Sequence, residues 1–191
     1  MLIKTIPVGQ LETNCYVVTN EDTLECVVID PGDESNAILD YMESNHLHCA
    51  AIFITHGHFD HVGGLEGVHD ETQAPVYMNE RDGSFDFSAS YDEGDILDSA
   101  GLRFEILATP GHTPGGVTIK VEDALFTGDT LFKGSCGRTD LGGDMTQLMQ
   151  SLKKICQIDG EYEIYPGHMD PTSLIREKTL NYYCRQAVKN Y

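Results

Sequence analysis

Apolar residues recur with two periods along this chain, and the switches between them mark out its elements. Short runs rich in β-branched residues read as strands. The first three cover residues 2–6, 15–19 and 26–29. Asp30-Pro31-Gly32 stops the third, and Asp33 is placed to cap a helix with Ile38, Leu39 and Met42 on one face. An apolar strand follows at 50–54, then a short helix over 63–72 and a buried strand over 75–78. Residues 79–95 are polar and glycine-bearing and read mainly as loop.

A second set of strands occupies 96–98, 102–108, 116–121 and 124–127. The period then lengthens: over 144–156, Met145, Leu148, Met149, Leu152 and Ile155 share one helical face. A last strand, 163–165, precedes a final helix over 172–188. Two strand-rich halves, each with helices, predict an α/β fold in which two sheets pack face to face with helices outside. The 191 residues predict a single domain, 1–191, with a full core.

The candidate chemistry sits where strands end. Residues 50–54 lead into Thr55-His56-Gly57-His58-Phe59-Asp60-His61. Three imidazoles and a carboxylate so close together would leave several ring nitrogens without partners unless a metal takes them. Imidazole with carboxylate suits zinc, iron or manganese. Three more donors follow apolar runs, each preceded by glycine: His112 in Pro110-Gly111-His112, Asp129 in Thr127-Gly128-Asp129 and His168 in Pro166-Gly167-His168. Loops leaving one edge of a sheet sandwich can converge on a single site.

Composition narrows the partners. The net charge of −19 argues against nucleic acid, which needs clustered Lys and Arg, and against anionic membrane surfaces. The six cysteines form no C-x-x-C pair, so reduced thiols in a cytoplasm are expected rather than a disulfide framework or a Cys-rich zinc site. Residues 1–7 lack a signal-peptide apolar region, and no apolar run is long enough to cross a bilayer. A cytoplasmic protein is expected.

At these residues the chain resembles the metallo-β-lactamase superfamily, from Thr13-Asn14-Cys15-Tyr16 to Pro171-Thr172. The resemblance implies an αββα sandwich with the site along one edge of its two sheets. It implies two divalent metal ions, zinc first, with iron or manganese as alternatives. His56, His58 and His112 would hold one ion, Asp60, His61 and His168 the other, and Asp129 both. Asp60 would also orient the nucleophile. Asp30 is either a support for a ligand or simply the turn residue that ends its strand.

Three stretches carry the resemblance further. They are T-P-G-H-T-P-G-G at 109–116, G-D-T-L-F-K-G-S-C-G-R-T-D-L-G-G at 128–143 and Y-P-G-H-M-D-P-T at 165–172. Together they look like the glyoxalase II group, the hydroxyacylglutathione hydrolases, and most like short bacterial members without the C-terminal helical domain. The implied reaction is hydrolysis of S-D-lactoylglutathione or a related hydroxyacyl thioester. Arg138 would contact the glutathione part through its guanidinium fork, or else pair with Asp140 or Asp144 on the surface. Gly137 and Cys136 would bring backbone groups to the substrate. Cys136 has no identifiable activating base and is not read as a nucleophile. Tyr182, Tyr183, Lys178 and Arg185 would either supplement the glutathione contacts or belong to a docked amphipathic helix. A rival within the superfamily is a mononuclear-iron persulfide dioxygenase using His56, His112 and Asp129. Another metal-dependent hydrolase of the same fold is a third reading.

Overall fold

The computed structural model describes residues 1–191. The first half runs β1 (Leu2–Val8), β2 (Thr13–Asn20), β3 (Glu25–Ile29), α1 (Ser35–Ser44), β4 (His48–Phe53), α2 (Phe59–Val62), α3 (Leu65–Thr72), β5 (Val76–Met78) and β6 (Ser88–Ser90). The second half runs β7 (Ile96–Ser99), β8 (Leu102–Ala108), β9 (Val117–Val121), β10 (Ala124–Gly128), β11 (Leu131–Phe132), β12 (Ser135–Cys136), α4 (Met145–Cys156), β13 (Glu163–Pro166), β14 (Thr172–Ser173), α5 (Leu174–Leu180) and α6 (Tyr182–Asn190).

Each half builds one sheet. The first has the order β1-β2-β3-β4-β5-β6 and the second β14-β13-β10-β9-β8-β7, with β11 and β12 as a separate small hairpin. Both sheets are mixed: β3, β4, β5 and β6 pair in parallel, as do β10 and β13, and the other pairs are antiparallel. Strands β2 and β3 are buried on both faces, which is why their sequences read as nearly continuous apolar runs.

The alternation of side chains along those strands divides the core into layers. Tyr16, Val18, Val27, Ile29 and Phe53 face the second sheet and meet Phe104, Ile106, Ile119 and Phe126 there. Phe53 and Phe104 contact edge to face at 5.0 Å, a geometry that adds about 0.5–1.5 kcal/mol beyond area burial. Cys15, Val17, Val28 and Ile52 point the other way, onto Ile38 and Met42 of α1 and Leu65 and Val68 of α3. Leu125 and Ile164 of the second sheet pack on Leu148, Leu152 and Ile155 of α4 and on Cys184 and Ala187 of α6. This is the αββα sandwich.

Four local expectations change. Asp33 does not cap α1: Glu34 precedes the helix in a left-handed conformation with no side-chain cap, and Asp33 accepts a hydrogen bond from Glu34 N instead. The helical segment around 63–72 is two helices, and the first begins at Phe59, inside the histidine motif. The stretch 79–95 holds a 3₁₀ turn at Glu80–Asp82 and the short edge strand β6. The C-terminal helix divides at Asn181, whose extended backbone ends α5 while its side chain accepts from Tyr183 N and Cys184 N to start α6.

Candidate metal centre

Every expected ligand lies just beyond a strand. His56 and His58 follow β4, and α2 adds Asp60 and His61 within one turn. His112 follows β8, Asp129 follows β10 and His168 follows β13. The short α2 gives the motif two directions, because its first two histidines are on extended chain and its last two ligands on a helical turn.

The fold gathers these side chains into two groups. The ligand atoms of His56, His58 and His112 lie within 4.8 Å of one another, and so do those of Asp60, His61 and His168. Asp129 stands between the groups. Its Oδ1 is 3.4 Å from His61 Nε2, and its Oδ2 is 3.5 Å from both His112 Nε2 and His168 Nε2.

The imidazoles are aimed from behind. Nδ1 of His61 faces the Asp30 carboxylate at 2.8 Å, Nδ1 of His112 faces the Arg138 carbonyl at 2.6 Å, and Nδ1 of His168 faces the Leu11 carbonyl at 3.2 Å. Each of these acceptors needs a proton on Nδ1, which leaves the Nε2 lone pair of the neutral ring turned inward. His58 presents Nδ1, 2.9 Å from His112 Nε2.

The residues fit a metal pair. Four buried side-chain polar atoms lack a hydrogen-bond partner, and three of them are here: His56 Nε2, His61 Nε2 and Asp129 Oδ1. An unpartnered buried polar atom costs about 1–3 kcal/mol, so three at one point are accounted for by a ligand they share. Asp30 also lies within 4.8 Å of His56 and His61. Its oxygens, however, already accept from Thr55 N at 2.7 Å, Thr55 Oγ1 at 2.6 Å and His61. It holds the ring of a candidate ligand, His61, from behind.

Electrostatics sorts the rings. Burial and the surrounding imidazoles push His56 well below the usual histidine range, and burial with His112 lowers His58. Burial acts against a charged His61 as well, but Asp30 and Asp129 outweigh it and lift that ring to about 10. Asp60 raises His168. Burial works against the charge on both carboxylates, yet His168 and His61 hold Asp60 below its ordinary value, and His61 does the same for Asp129. Protons and metal compete for these atoms.

Five of the candidate ligands, His58, Asp60, His112, Asp129 and His168, line a cleft of about 560 Å³ whose walls include Leu11, Phe59, Phe132 and Leu141. Phe59 and Leu141 are largely exposed at its rim. Arg138 lines the same cleft and makes a two-pronged ion pair with Asp140, its Nε donating to Oδ1 at 2.6 Å. Asp144 is occupied elsewhere, capping α4 through Gln147 N. Cys136 is in the wall, and burial pushes its thiol up to about 11.

Gly137 has a packing role that the sequence did not show. It is absent from the cleft lining. It packs behind Asp129, where a Cβ would collide with the Asp129 carbonyl and come within 3.1 Å of His112 Nδ1. The chain needs glycine there to pass beneath two ligands. Tyr182, Tyr183, Lys178 and Arg185 likewise lie outside the cleft lining, on or beside the docked helix α6.

Sequence reasoning missed several supports. Thr13 Oγ1 donates to Asp60 Oδ2 at 2.9 Å. Asn14 Nδ2 donates to the carbonyls of Pro166 and Met169 at 3.0 and 2.9 Å, clasping the His168 loop from both sides. Tyr16 Oη donates to the same Pro166 carbonyl at 2.6 Å. The signal available was polar residues opening a strand whose middle, Cys15 to Val18, is apolar.

A family model described as "Metallo-beta-lactamase superfamily" matches residues 8–168. The probable metallo-hydrolase YqgX of Bacillus subtilis is 33% identical, covering 93% of this chain and 95% of that protein. The hydroxyacylglutathione hydrolase GloC of Haemophilus influenzae is 31% identical over 95% of this chain and 97% of its own length. Among solved structures, the BLEG-1 B3 metallo-beta-lactamase superposes with a TM-score of 0.87 at 32% identity, covering 96% of this chain and 99% of that one. TTHA1623 in a di-iron-bound form gives 0.84 at 32% identity, covering 94% and 99%. ETHE1 from Myxococcus xanthus gives 0.88 at 28% identity, covering 100% and 92%. No helix of this chain is long and apolar enough to cross a membrane.

Proposed function

The chain belongs to the metallo-beta-lactamase superfamily, and on that premise we propose that it is a metal-dependent thioester hydrolase acting on S-D-lactoylglutathione or a related hydroxyacyl thioester. The observation that carries the reading is the convergence of both ligand groups on Asp129 at the floor of a cleft that has apolar walls and one guanidinium. The likeness to a hydroxyacylglutathione hydrolase over nearly the whole length of both chains supports it.

The metal ions we assign are zinc, with iron or manganese accepted by the same donors; the di-iron relative supports iron as an occupant. His56, His58 and His112 would hold one ion, Asp60, His61 and His168 the other, and Asp129 both. Bound there, the ions supply a water of lowered pKa as nucleophile and positive charge for the carbonyl oxygen. The chain's own side chains do the rest. Asp60, held by Thr13, accepts a hydrogen bond from the attacking water and orients it. The thiolate leaves without needing a strong general acid. Arg138 exchanges Asp140 for a carboxylate of the thiol half, and Leu11, Phe59, Phe132 and Leu141 cover the apolar parts of the substrate. All six cysteines are free thiols, which supports a reducing, cytoplasmic setting.

The test combines metal counting with two assays on the purified protein. Two metal ions per chain and thiol release from S-D-lactoylglutathione are expected. One iron per chain with oxygen uptake on glutathione persulfide would sink the proposal and favour the dioxygenase reading. For that reading His56, His112 and Asp129 are the relevant set; His112 Nε2 and Asp129 Oδ2 lie 3.5 Å apart beside the unpartnered His56 Nε2.

A further inference from the structure

Asp82 sits in the 3₁₀ turn at Glu80–Asp82, within the stretch whose sequence reads as loop. It does not line the metal cleft. Its carboxylate lies between two loops that come from different sheets. Oδ2 accepts from Gly57 N at 3.2 Å, on the loop that carries His56 and His58. The same oxygen accepts from Thr113 Oγ1 at 2.6 Å, and Oδ1 accepts from Gly115 N at 2.5 Å, both on the loop that carries His112. One side chain therefore ties together all three members of the first ligand group.

The surrounding residues are chosen to admit it. A Cβ on Gly57 would collide with the Asp82 carbonyl oxygen, and a Cβ on Gly115 would come within 2.8 Å of the carboxylate. The neighbouring cation is used elsewhere, because Arg81 pairs with Asp92 at 2.9 Å. Neutral donors from the ligand loops are what this carboxylate receives. Hydrogen bonds to an ionised acceptor are stronger than neutral ones. Val117 N also donates to the Thr55 carbonyl at 2.9 Å, joining the two sheets at the strand ends. Asp82 continues that connection out to the ligands themselves.

We propose that Asp82 is a positioning residue for the first metal: it fixes His56 and His58 relative to His112 and thereby sets the affinity of that group alone. The proposal rests on the reading of these three histidines as ligands. A metal site tolerates only small errors in ligand placement, and residues that orient ligands typically change metal affinity by about 10–100-fold when removed. The second group is oriented by other residues, Asp30 on His61 and Thr13 on Asp60. Loss of Asp82 should therefore be selective.

The test is titration of metal-depleted protein with zinc and with cobalt(II), followed by calorimetry and by the cobalt absorption spectrum. The proteins are wild type, Asp82→Asn, Asp82→Ala, Thr113→Val and Thr113→Ser. Wild type is expected to take two equivalents. Both Asp82 variants should bind one equivalent as wild type does and the other about 10–100-fold more weakly. Thr113→Val should shift the same equivalent by less, and Thr113→Ser, which keeps the hydroxyl, should restore it. Two wild-type equivalents in Asp82→Asn, or equal weakening of both, would overturn the proposal. If the Asp82 variants do not fold, wild-type affinity in Thr113→Val overturns it. A wild-type protein that takes up no metal would refute the ligand reading itself, a result distinct from two unchanged equivalents in the variants.

Discussion

Asp30 and His61 form a buried pair, 2.8 Å from carboxylate to Nδ1, in which the acid holds the ring from behind while Nε2 faces the candidate metal centre. Asp30 also ends β3 with a left-handed backbone, φ 53. The residue therefore does two things at once: it holds the ring of a candidate ligand and turns the chain at the end of its strand. Asparagine shares the tolerance of Asp for that backbone region, so Asp30→Asn changes the charge and leaves the turn. The variant should bind the metal of the Asp60, His61 and His168 group about 10–100-fold more weakly. Calorimetric titration with zinc checks this, and an unchanged second equivalent would count against it.

Asp129 belongs to both groups, so its loss should not be selective. Its oxygens face His61 on one side and His112 and His168 on the other. In Asp129→Ala, five imidazoles and one carboxylate would remain to carry the charge of two ions. Mass-spectrometric metal counting should find both equivalents lost, and thioester hydrolysis should fall to background. Full hydrolysis in this variant would refute the shared assignment.

Arg138 is poised at the cleft but already engaged by Asp140. Both partners are exposed at the surface, where solvent screens the ion pair, so a substrate carboxylate can displace Asp140 at little cost. Arg138→Ala should raise KM for glutathione thioesters with kcat nearly unchanged. The same variant should leave KM unaltered for a thioester whose thiol half has no carboxylate. Equal kinetics of variant and wild type on both substrates would leave Arg138 a surface residue.

Gly137→Ala tests the packing beneath the ligands. The added methyl meets the Asp129 carbonyl, which belongs to backbone and has little room to retreat. Overpacking of this kind costs about 1–3 kcal/mol. The displacement is delivered directly to Asp129 and His112, so metal affinity should drop along with the thermal midpoint. A variant with wild-type metal content and stability would show that the loop relaxes freely.

The layered fold and all seven candidate ligands were legible in the sequence because both rest on strong local signals. Short β-branched apolar runs marked the strands, and His, Asp and Gly immediately after those runs marked the candidate site. What was not legible depends on contacts distant in sequence. Asn14 clasps a loop more than 150 positions away, at Pro166 and Met169. Asp82 lies in a polar stretch whose period says only loop. Gly137 reads as a flexible turn, and only the approach of Asp129 reveals its packing role. Asp33 and Asn181 show the same limit on a smaller scale: both are residues that favour helix starts, and local backbone conformation decided which of them became a cap.

Glu177 supplies a stability test away from the metal. It is fully buried in α5. Oε1 accepts from Thr172 Oγ1 at 2.7 Å and from Arg176, and Oε2 accepts from Gly134 N at 2.8 Å and Asn181 Nδ2 at 2.9 Å. It therefore joins the hairpin loop, β14 and the break between α5 and α6. Burial alone would raise its carboxyl, but these donors outweigh burial and hold it below the usual glutamate range. A depressed folded-state value means the charged form stabilises the fold. That contribution is complete above the unfolded value of about 4.3 and is lost as pH falls through the lower folded value. In Glu177→Gln the amide nitrogen must face donors on one side, which should cost about 1–3 kcal/mol near neutral pH. Denaturant unfolding of both proteins across acidic pH should show a gap that is constant above about pH 5 and narrows below about pH 4. A gap independent of pH would mean that the charge of Glu177 contributes nothing and that its shape alone matters.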